Sequence, residues 1–140
     1  MKTLIMYYSL SGTTDRLAHK LANEKNADLA EVKEQRKRNV LTAFFACPAA
    51  MSHKKSKIQP LDIDFSQYDA FILLAPIWAG HPAPPMNNML EMIPAGKDVE
   101  VMLVSGGGTS GNSIQWITDT LKERGAGNVV AVDVKSADVP

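Results

Sequence analysis

The sequence has little of what disulfide, metal or membrane chemistry requires. It contains one cysteine, Cys47, among 140 residues, which excludes an internal disulfide and fits a reducing compartment. Its three histidines are scattered and form no metal-ligand spacing with that cysteine. No apolar run is long enough to cross a bilayer, and Met1 to Thr3 leave no room for a signal peptide. We therefore expect one cytoplasmic domain spanning residues 1–140.

The formal net charge is zero at pH 7, but the charges are unevenly distributed. Residues 33–57 carry seven basic residues and one acidic residue, Glu34, whereas the remainder carries eight basic and fourteen acidic residues. This asymmetry favours docking to charged protein partners. We expect no nucleic-acid partner, because the chain as a whole has no basic excess.

The basic segment contains an apolar face with two interpretations. Val40, Leu41, Phe44 and Phe45 share this face, which could lie on an anionic membrane surface through residues 33–57. We prefer a crossover helix that packs onto a sheet, because parallel strands need such connections. Cys47 is interpreted as a small core residue and not as a nucleophile, because no histidine stands in a motif with it.

Short apolar runs and helical stripes alternate along the chain, which predicts a parallel sheet with right-handed crossovers. The expected strands are Thr3–Tyr8, Asp28–Lys33, Ala70–Ala75, Val99–Val104 and Val129–Val134. The fold class predicted is α/β: a three-layer α-β-α sandwich whose five-stranded parallel sheet has the order 2-1-3-4-5. Only six residues follow the fifth strand, so the final C-terminal helix is expected to be missing. In this order, ligands bind where the loops after the first and third strands diverge.

The loop after the first strand is rich in hydroxyls and leads into a helix. It reads Ser9-Leu10-Ser11-Gly12-Thr13-Thr14. Hydroxyls and backbone N–H groups at a helix N-terminus favour an anion, and glycine lets the backbone approach it. This pattern predicts a loop that binds a phosphate group, although a turn that only caps the helix would have a similar sequence. The loop lacks the lysine of a P-loop and the Gly-x-Gly-x-x-Gly pattern of a dinucleotide site.

Two further loops belong to the same predicted edge of the sheet. The first is stiffened by prolines and carries an aromatic side chain and a glycine, in the order Pro76, Ile77, Trp78, Ala79, Gly80. The second offers backbone amides with few side chains, in the order Ser105, Gly106, Gly107, Gly108. A tryptophan is usually buried, and a glycine run is often a simple flexible connection. Beside a phosphate loop, however, the two loops predict an aromatic wall and a polar edge, which together suit flavin mononucleotide (FMN).

With these motifs, the chain resembles the flavodoxin-like family over nearly its whole length. The resemblance implies that Ser9, Ser11, Gly12, Thr13 and Thr14 hold the FMN phosphate. It also implies that Trp78 flanks the flavin ring, that the Ala79–Gly80 peptide meets the flavin N5, and that the loop from Ser105 contacts the pyrimidine end. The third loop lacks the usual second aromatic residue, so one face of the ring is expected to be open.

The resemblance implies an FMN-binding redox protein that passes electrons to a partner protein or reduces a small acceptor such as a quinone. An alternative is a partner-binding module that has lost its flavin. A phosphoacceptor receiver domain is excluded, because it needs aspartates where this chain has Tyr7, Tyr8 and Ala75. Omission of the last helix would expose apolar surface, and large apolar patches mark interfaces. We therefore predict a homodimer, or a partner that covers this face.

Overall fold

The computed structural model describes residues 1–36 and 47–140. The strands are β1 (Thr3–Tyr7), β2 (Asp28–Glu31), β3 (Ala70–Trp78), β4 (His81–Pro82), β5 (Asp98–Ser105) and β6 (Val129–Lys135). The helices are α1 (Thr13–Lys25), α2 (Cys47–Met51), α3 (Pro84–Met92) and α4 (Ser113–Glu123), with 3-10 turns at Phe65–Gln67 and Ser136–Asp138. The parallel sheet has the order β2-β1-β3-β5-β6, so the predicted 2-1-3-4-5 arrangement of the five long strands is confirmed.

The central strand β3 lies between two other strands and is buried on both faces of the sheet. It pairs with β1 from Thr3↔Ala70 to Tyr7↔Leu74 and with β5 from Ala70↔Asp98 to Pro76↔Val104. Its residues from Phe71 to Ala75 are all buried, as expected for a parallel strand between two helical layers. Alternate side chains of β3 therefore belong to two separate cores, one under α3 and α4 and the other under α1.

The end of β3 differs from the prediction. The strand continues beyond Ala75 to Trp78 and folds back as a short antiparallel hairpin with β4, pairing Trp78 with His81. Two residues, Ala79 and Gly80, form the turn, and both have positive φ, 51° and 77°. Positive φ at both central positions is typical of the two-residue turns that match the twist of paired strands. The predicted proline-rich loop is therefore partly a hairpin.

The far end of the sheet has an uncovered face. In the described residues, no α-helix follows β6, and the chain continues through the 3-10 turn at Ser136–Asp138. Val139 is buried beside Val104 and Val134, so it covers the upper part of this face. Lower down, Val130 and Val132 are 55% and 36% exposed. The missing final helix and the resulting apolar surface thus agree with the prediction.

Two expectations concern residues 37–46 and lie outside the described residues. These are the apolar face of Val40, Leu41, Phe44 and Phe45 and the helix built on it. Among the helices of residues 1–36 and 47–140, none has the length and apolar character needed to span a bilayer.

Candidate functional site

The loop after β1 enters α1 through a glycine, at the place where a phosphate was predicted to bind. Gly12 precedes the helix with φ 97°, a left-handed conformation that favours glycine, and no described side chain caps the first turn. The first N–H groups of α1 therefore face the loop, and no described side chain accepts a hydrogen bond from them. A Cβ placed on Gly12 would lie 3.7 Å from Nη1 of Arg16. Arg16 thus places a positive charge near the start of α1, and its Nε donates to the main-chain oxygen of Pro140 over 3.2 Å.

Within this loop, one of the N–H groups predicted to bind the phosphate already has a hydrogen-bond partner in the protein. The N–H of Gly12 donates to Ser9 Oγ over 3.1 Å. Ser9 and Gly12 therefore stabilise the turn itself. The hydroxyl-bearing residues Ser11, Thr13 and Thr14 line the adjacent cavity.

The hairpin turn after β3 is held from below by α4. Ser113 Oγ donates to the carbonyl of Gly80 over 2.8 Å, and Ser113 is itself buried. Sequence reasoning missed Ser113, because nothing in a serine near a helix start indicates which loop it contacts. Ala79 occupies a left-handed conformation that costs an L-residue about 1–2 kcal/mol. Such strain often accompanies functional turns.

We expect Ala79→Gly to stabilise the protein by about 0.5–1 kcal/mol. Relief of the left-handed conformation outweighs the larger chain entropy that glycine brings to the unfolded state. Urea unfolding measures the difference. Ala137→Gly, at an exposed residue outside the positive-φ set, is the matched control and should be neutral or destabilising. Equal or lower stability of Ala79→Gly would contradict the assigned strain.

The loop after β5 is closed by its own serine. Ser105 Oγ accepts from the N–H of Gly108 over 3.0 Å and donates to the carbonyl of Thr109 over 3.3 Å. A Cβ on Gly108 would lie 3.3 Å from Lys135 Cβ, so Gly108 packs against the end of β6. Gly106 and Gly107 are exposed with open space around them. Their backbone is therefore accessible to a ligand, whereas the N–H of Gly108 is already bonded.

A cavity of about 180 Å³ lies where the three loops converge. It brings together eight of the predicted residues, namely Ser11, Thr13, Thr14, Pro76, Ile77, Trp78, Ser105 and Gly106. Six others do not line it: Ser9, Gly12, Ala79, Gly80, Gly107 and Gly108. Sequence reasoning missed Leu10, Val104 and Ser136, which complete the lining. Their apolar or C-terminal positions carried no ligand signal.

The position of Trp78 requires a correction. We expected it at the crest of a surface loop, but it is the last residue of β3 and only 8% exposed. Its ring meets that of Tyr8 edge to face, with centroids 5.9 Å apart. The hairpin turns the chain after Trp78, so the crest consists of Ala79 and Gly80. Trp78 still lines the cavity, as a largely buried wall.

An aromatic cluster that sequence reasoning also missed adjoins the hairpin. The ring of His53 stacks on that of Trp116 at 3.7 Å and 13°, and its centroid lies 5.3 Å from that of His81. Burial, and secondarily the charge of His81, lower the pKa of His53 from its ordinary value. The neutral imidazole is therefore the favoured form in this stack.

We expect the pKa of His53 to make the protein less stable in mild acid. Because the folded state binds this proton less readily than the unfolded state, stability decreases as pH falls through about 6.5. Urea unfolding at pH 7.5 and 5.5 measures the change, and His53→Gln should reduce it. His19→Gln, at an exposed histidine outside this aromatic cluster, is the control. An unaltered pH dependence in His53→Gln would contradict the assignment.

In the described part of the chain, no group of three or more histidine, cysteine or carboxylate side chains is placed to hold a metal ion. The start of α1 and the open glycine loop lie at the same edge of the sheet, where a flat ligand that carries a phosphate would have room to bind. A doubly wound sheet of this strand order with its ligand site at the carboxyl ends of the strands is typical of flavodoxin-like proteins. The chain belongs to the flavodoxin family, whose model matches residues 2–135.

Solved structures with this architecture include flavoproteins. A flavoprotein from Lactobacillus acidophilus NCFM in complex with FMN is 26% identical, with a TM-score of 0.76 over 94% of this chain and 93% of that one. The apo form of the flavoprotein from the same organism gives 25% identity and a TM-score of 0.66 over 98% and 95%. Oxidised Flavodoxin 1 from Bacillus cereus, at 18% identity and a TM-score of 0.54 over 99% and 90%, is similar in fold alone. A search of curated proteins finds no match.

Proposed function

We propose that this protein binds FMN and acts as a cytoplasmic redox protein that transfers electrons. The observation that carries the proposal is the convergence of three loops on one cavity beside the uncapped start of α1. Membership of the flavodoxin family and similarity to a flavoprotein solved with FMN support the same ligand. The flavin supplies the electron chemistry, and the protein supplies binding, orientation and electrostatics.

The residues of the chain divide this task among the three loops. Ser11, Thr13 and Thr14, with the N–H groups at the start of α1 and the charge of Arg16, would hold the phosphate. Trp78 would wall the ring on its inner side. The Ala79–Gly80 peptide would be held for the flavin N5 by the bond from Ser113. The cavity itself is smaller than usual ligand sites, so the rest of the ligand would lie over the exposed glycines.

The exposed backbone of Gly106 and Gly107 supports access to the ring from solvent. No aromatic side chain stands in this loop, so a small acceptor such as a quinone, or a partner protein, could approach the flavin directly. We propose electron transfer as the shared activity. Stopped-flow oxidation of the reduced protein by a quinone and by a one-electron carrier protein would separate the two uses.

The visible spectrum of protein purified with added FMN tests the proposal. Bound flavin should give a yellow protein with one FMN per chain and quenched FMN fluorescence. Colourless protein that leaves added FMN fully fluorescent would overturn the proposal. That result would favour the partner-binding module without flavin.

We also propose that a second copy of the chain covers the exposed face of β6. Val130, Val132 and a neighbouring groove of about 320 Å³ that includes Ile72 and Glu100 leave apolar surface on this side of the sheet. The surface would pair with itself in a two-fold dimer. Light scattering at micromolar concentration should give twice the chain mass, and Val132→Lys should halve it. A monomeric parent protein would contradict the dimer.

A further inference from the structure

All three tyrosines of the chain donate a hydrogen bond to a carboxylate. Tyr7 bonds to Asp15 over 2.6 Å, Tyr8 to Glu34 over 2.5 Å, and Tyr68 to Asp28 over 2.7 Å. These three pairs have similar chemistry but different surroundings. They therefore allow one pair to be tested against the others.

The pair of Tyr8 is distinguished by a tryptophan. The ring of Tyr8 lies edge-on to Trp78 with centroids 5.9 Å apart. The ring of Tyr7 instead meets His19, and the ring of Tyr68 meets Phe71. Among the described contacts, only Tyr8 both donates a hydrogen bond to a carboxylate and places its ring against a tryptophan.

The carboxylate of this pair is held in place. Glu34 is 8% exposed, and its Oε1 accepts the hydroxyl of Tyr8. Its Oε2 accepts a short hydrogen bond from the hydroxyl of Ser56. Proton transfer needs donor and acceptor atoms within hydrogen-bond distance. Oε1 of Glu34 is therefore within reach of the phenolic proton of Tyr8.

These contacts form a line that starts at the candidate flavin cavity. Trp78 lines that cavity, and its ring contacts the ring of Tyr8. The hydroxyl of Tyr8 in turn donates to Glu34. Tyr8 and Glu34 also line a second, larger cavity together with Arg36, and Leu10 lines both cavities. The contacts thus connect the candidate flavin cavity through two oxidisable rings to a proton acceptor.

We propose that Tyr8 and Glu34 form a proton-coupled electron donor that restores Trp78 after it has lost an electron to photoexcited FMN. Bound FMN, when photoexcited, would supply the oxidant, and Trp78 would give up one electron and become a cation radical. Tyr8 then gives one electron to Trp78, and its O–H bond breaks as the proton passes to Oε1 of Glu34. The products on the chain are a neutral tryptophan, a neutral tyrosyl radical and a protonated Glu34, and the electron that the chain loses would be taken up by the bound FMN. The relay rests on the proposed FMN site, and it keeps Trp78 from irreversible oxidation.

Transient absorption of the FMN-loaded protein after a blue-light pulse tests the relay. The parent protein should show a tryptophan cation radical that is replaced by a tyrosyl radical. Tyr8→Phe keeps the ring but loses the hydroxyl, so the tryptophan radical should persist at least about tenfold longer without a tyrosyl signal. Glu34→Gln should slow the replacement by a similar factor. Tyr7→Phe, which removes the hydroxyl of the comparable pair, should behave like the parent.

A second measurement separates the relay from flavin binding. In pulse radiolysis of flavin-free protein, azide radicals oxidise tryptophan, and a Trp116→Phe background confines this signal to Trp78. Transfer to tyrosine should again depend on Tyr8 and not on Tyr7. Equal decay of the Trp78 radical with and without the Tyr8 hydroxyl would overturn the relay. Absent FMN binding with Tyr8-dependent transfer would overturn the flavin site alone. Circular dichroism of each variant checks that it is folded.

Discussion

Thr13→Glu should lower the affinity for FMN about 100-fold while leaving the fold intact. Thr13 is the first residue of α1 and lines the cavity, so the new carboxylate would lie beside the expected phosphate. Two like charges about 5 Å apart repel by about 3 kcal/mol at the effective dielectric constant of a protein surface. The same carboxylate at a helix N-terminus is neutral or mildly favourable for folding. Binding should therefore weaken while stability is unchanged or slightly higher.

Fluorescence titration with FMN and urea unfolding of the apo protein measure these two responses. Thr13→Gln has the same size without the charge and should retain most of the affinity. Riboflavin, which lacks the phosphate, should bind Thr13→Glu and Thr13→Gln equally. If Thr13→Glu binds FMN as well as Thr13→Gln does, the phosphate is held elsewhere.

Trp78→Ala should reduce the free energy of unfolding by about 3–5 kcal/mol. Its indole is only 8% exposed and belongs to the core cluster that includes Tyr8, Ala83 and Met86. Loss of so large a buried side chain leaves a cavity in the sheet-helix core, which raises the cost above that of transfer alone. Chemical denaturation of the apo protein measures the change. A loss below about 1 kcal/mol would contradict the buried position.

Because Trp78→Ala damages the fold, the stacking role of Trp78 needs a milder variant. Trp78→Phe keeps an aromatic ring in the core and should retain most of the stability. If the indole stacks against the flavin, we expect a loss of FMN binding of about 1–3 kcal/mol for Trp78→Ala, by analogy with base stacking on aromatic side chains, and a smaller loss for Trp78→Phe. Trp116→Phe, at a residue outside the cavity lining, should bind FMN as the parent does.

The fold was predictable because its signals are local. A solid apolar run at β3 and alternating strand and helix patterns are sufficient to predict a parallel sheet, and five strands in so short a chain suit the order 2-1-3-4-5. The hairpin at His81–Pro82 was not predictable from such patterns. Proline disfavours strand pairing within a sheet, yet Pro82 occupies an edge, where its missing N–H costs little.

The site was predictable in its loops but not in its contacts. The hydroxyls of the first loop do reach the cavity, whereas Gly12 and Gly108 use their N–H groups to close their own turns. Residue type cannot distinguish a backbone N–H that faces a ligand from one that faces a serine three residues away. Likewise, the anchors Ser113 and Tyr8 depend on distant partners, Gly80 and Glu34. Such contacts become visible only when the whole sheet is assembled.

The register of β1 has a consequence for biosynthesis. Thr3 pairs with Ala70 and Tyr7 with Leu74, so β1 leaves the ribosome long before its inner neighbour β3 has been made. Contacts between residues so far apart in sequence slow folding, and an apolar strand that waits with one side open is prone to aggregation. The segment from β1 to β2 is therefore where a chaperone would be expected to act during synthesis.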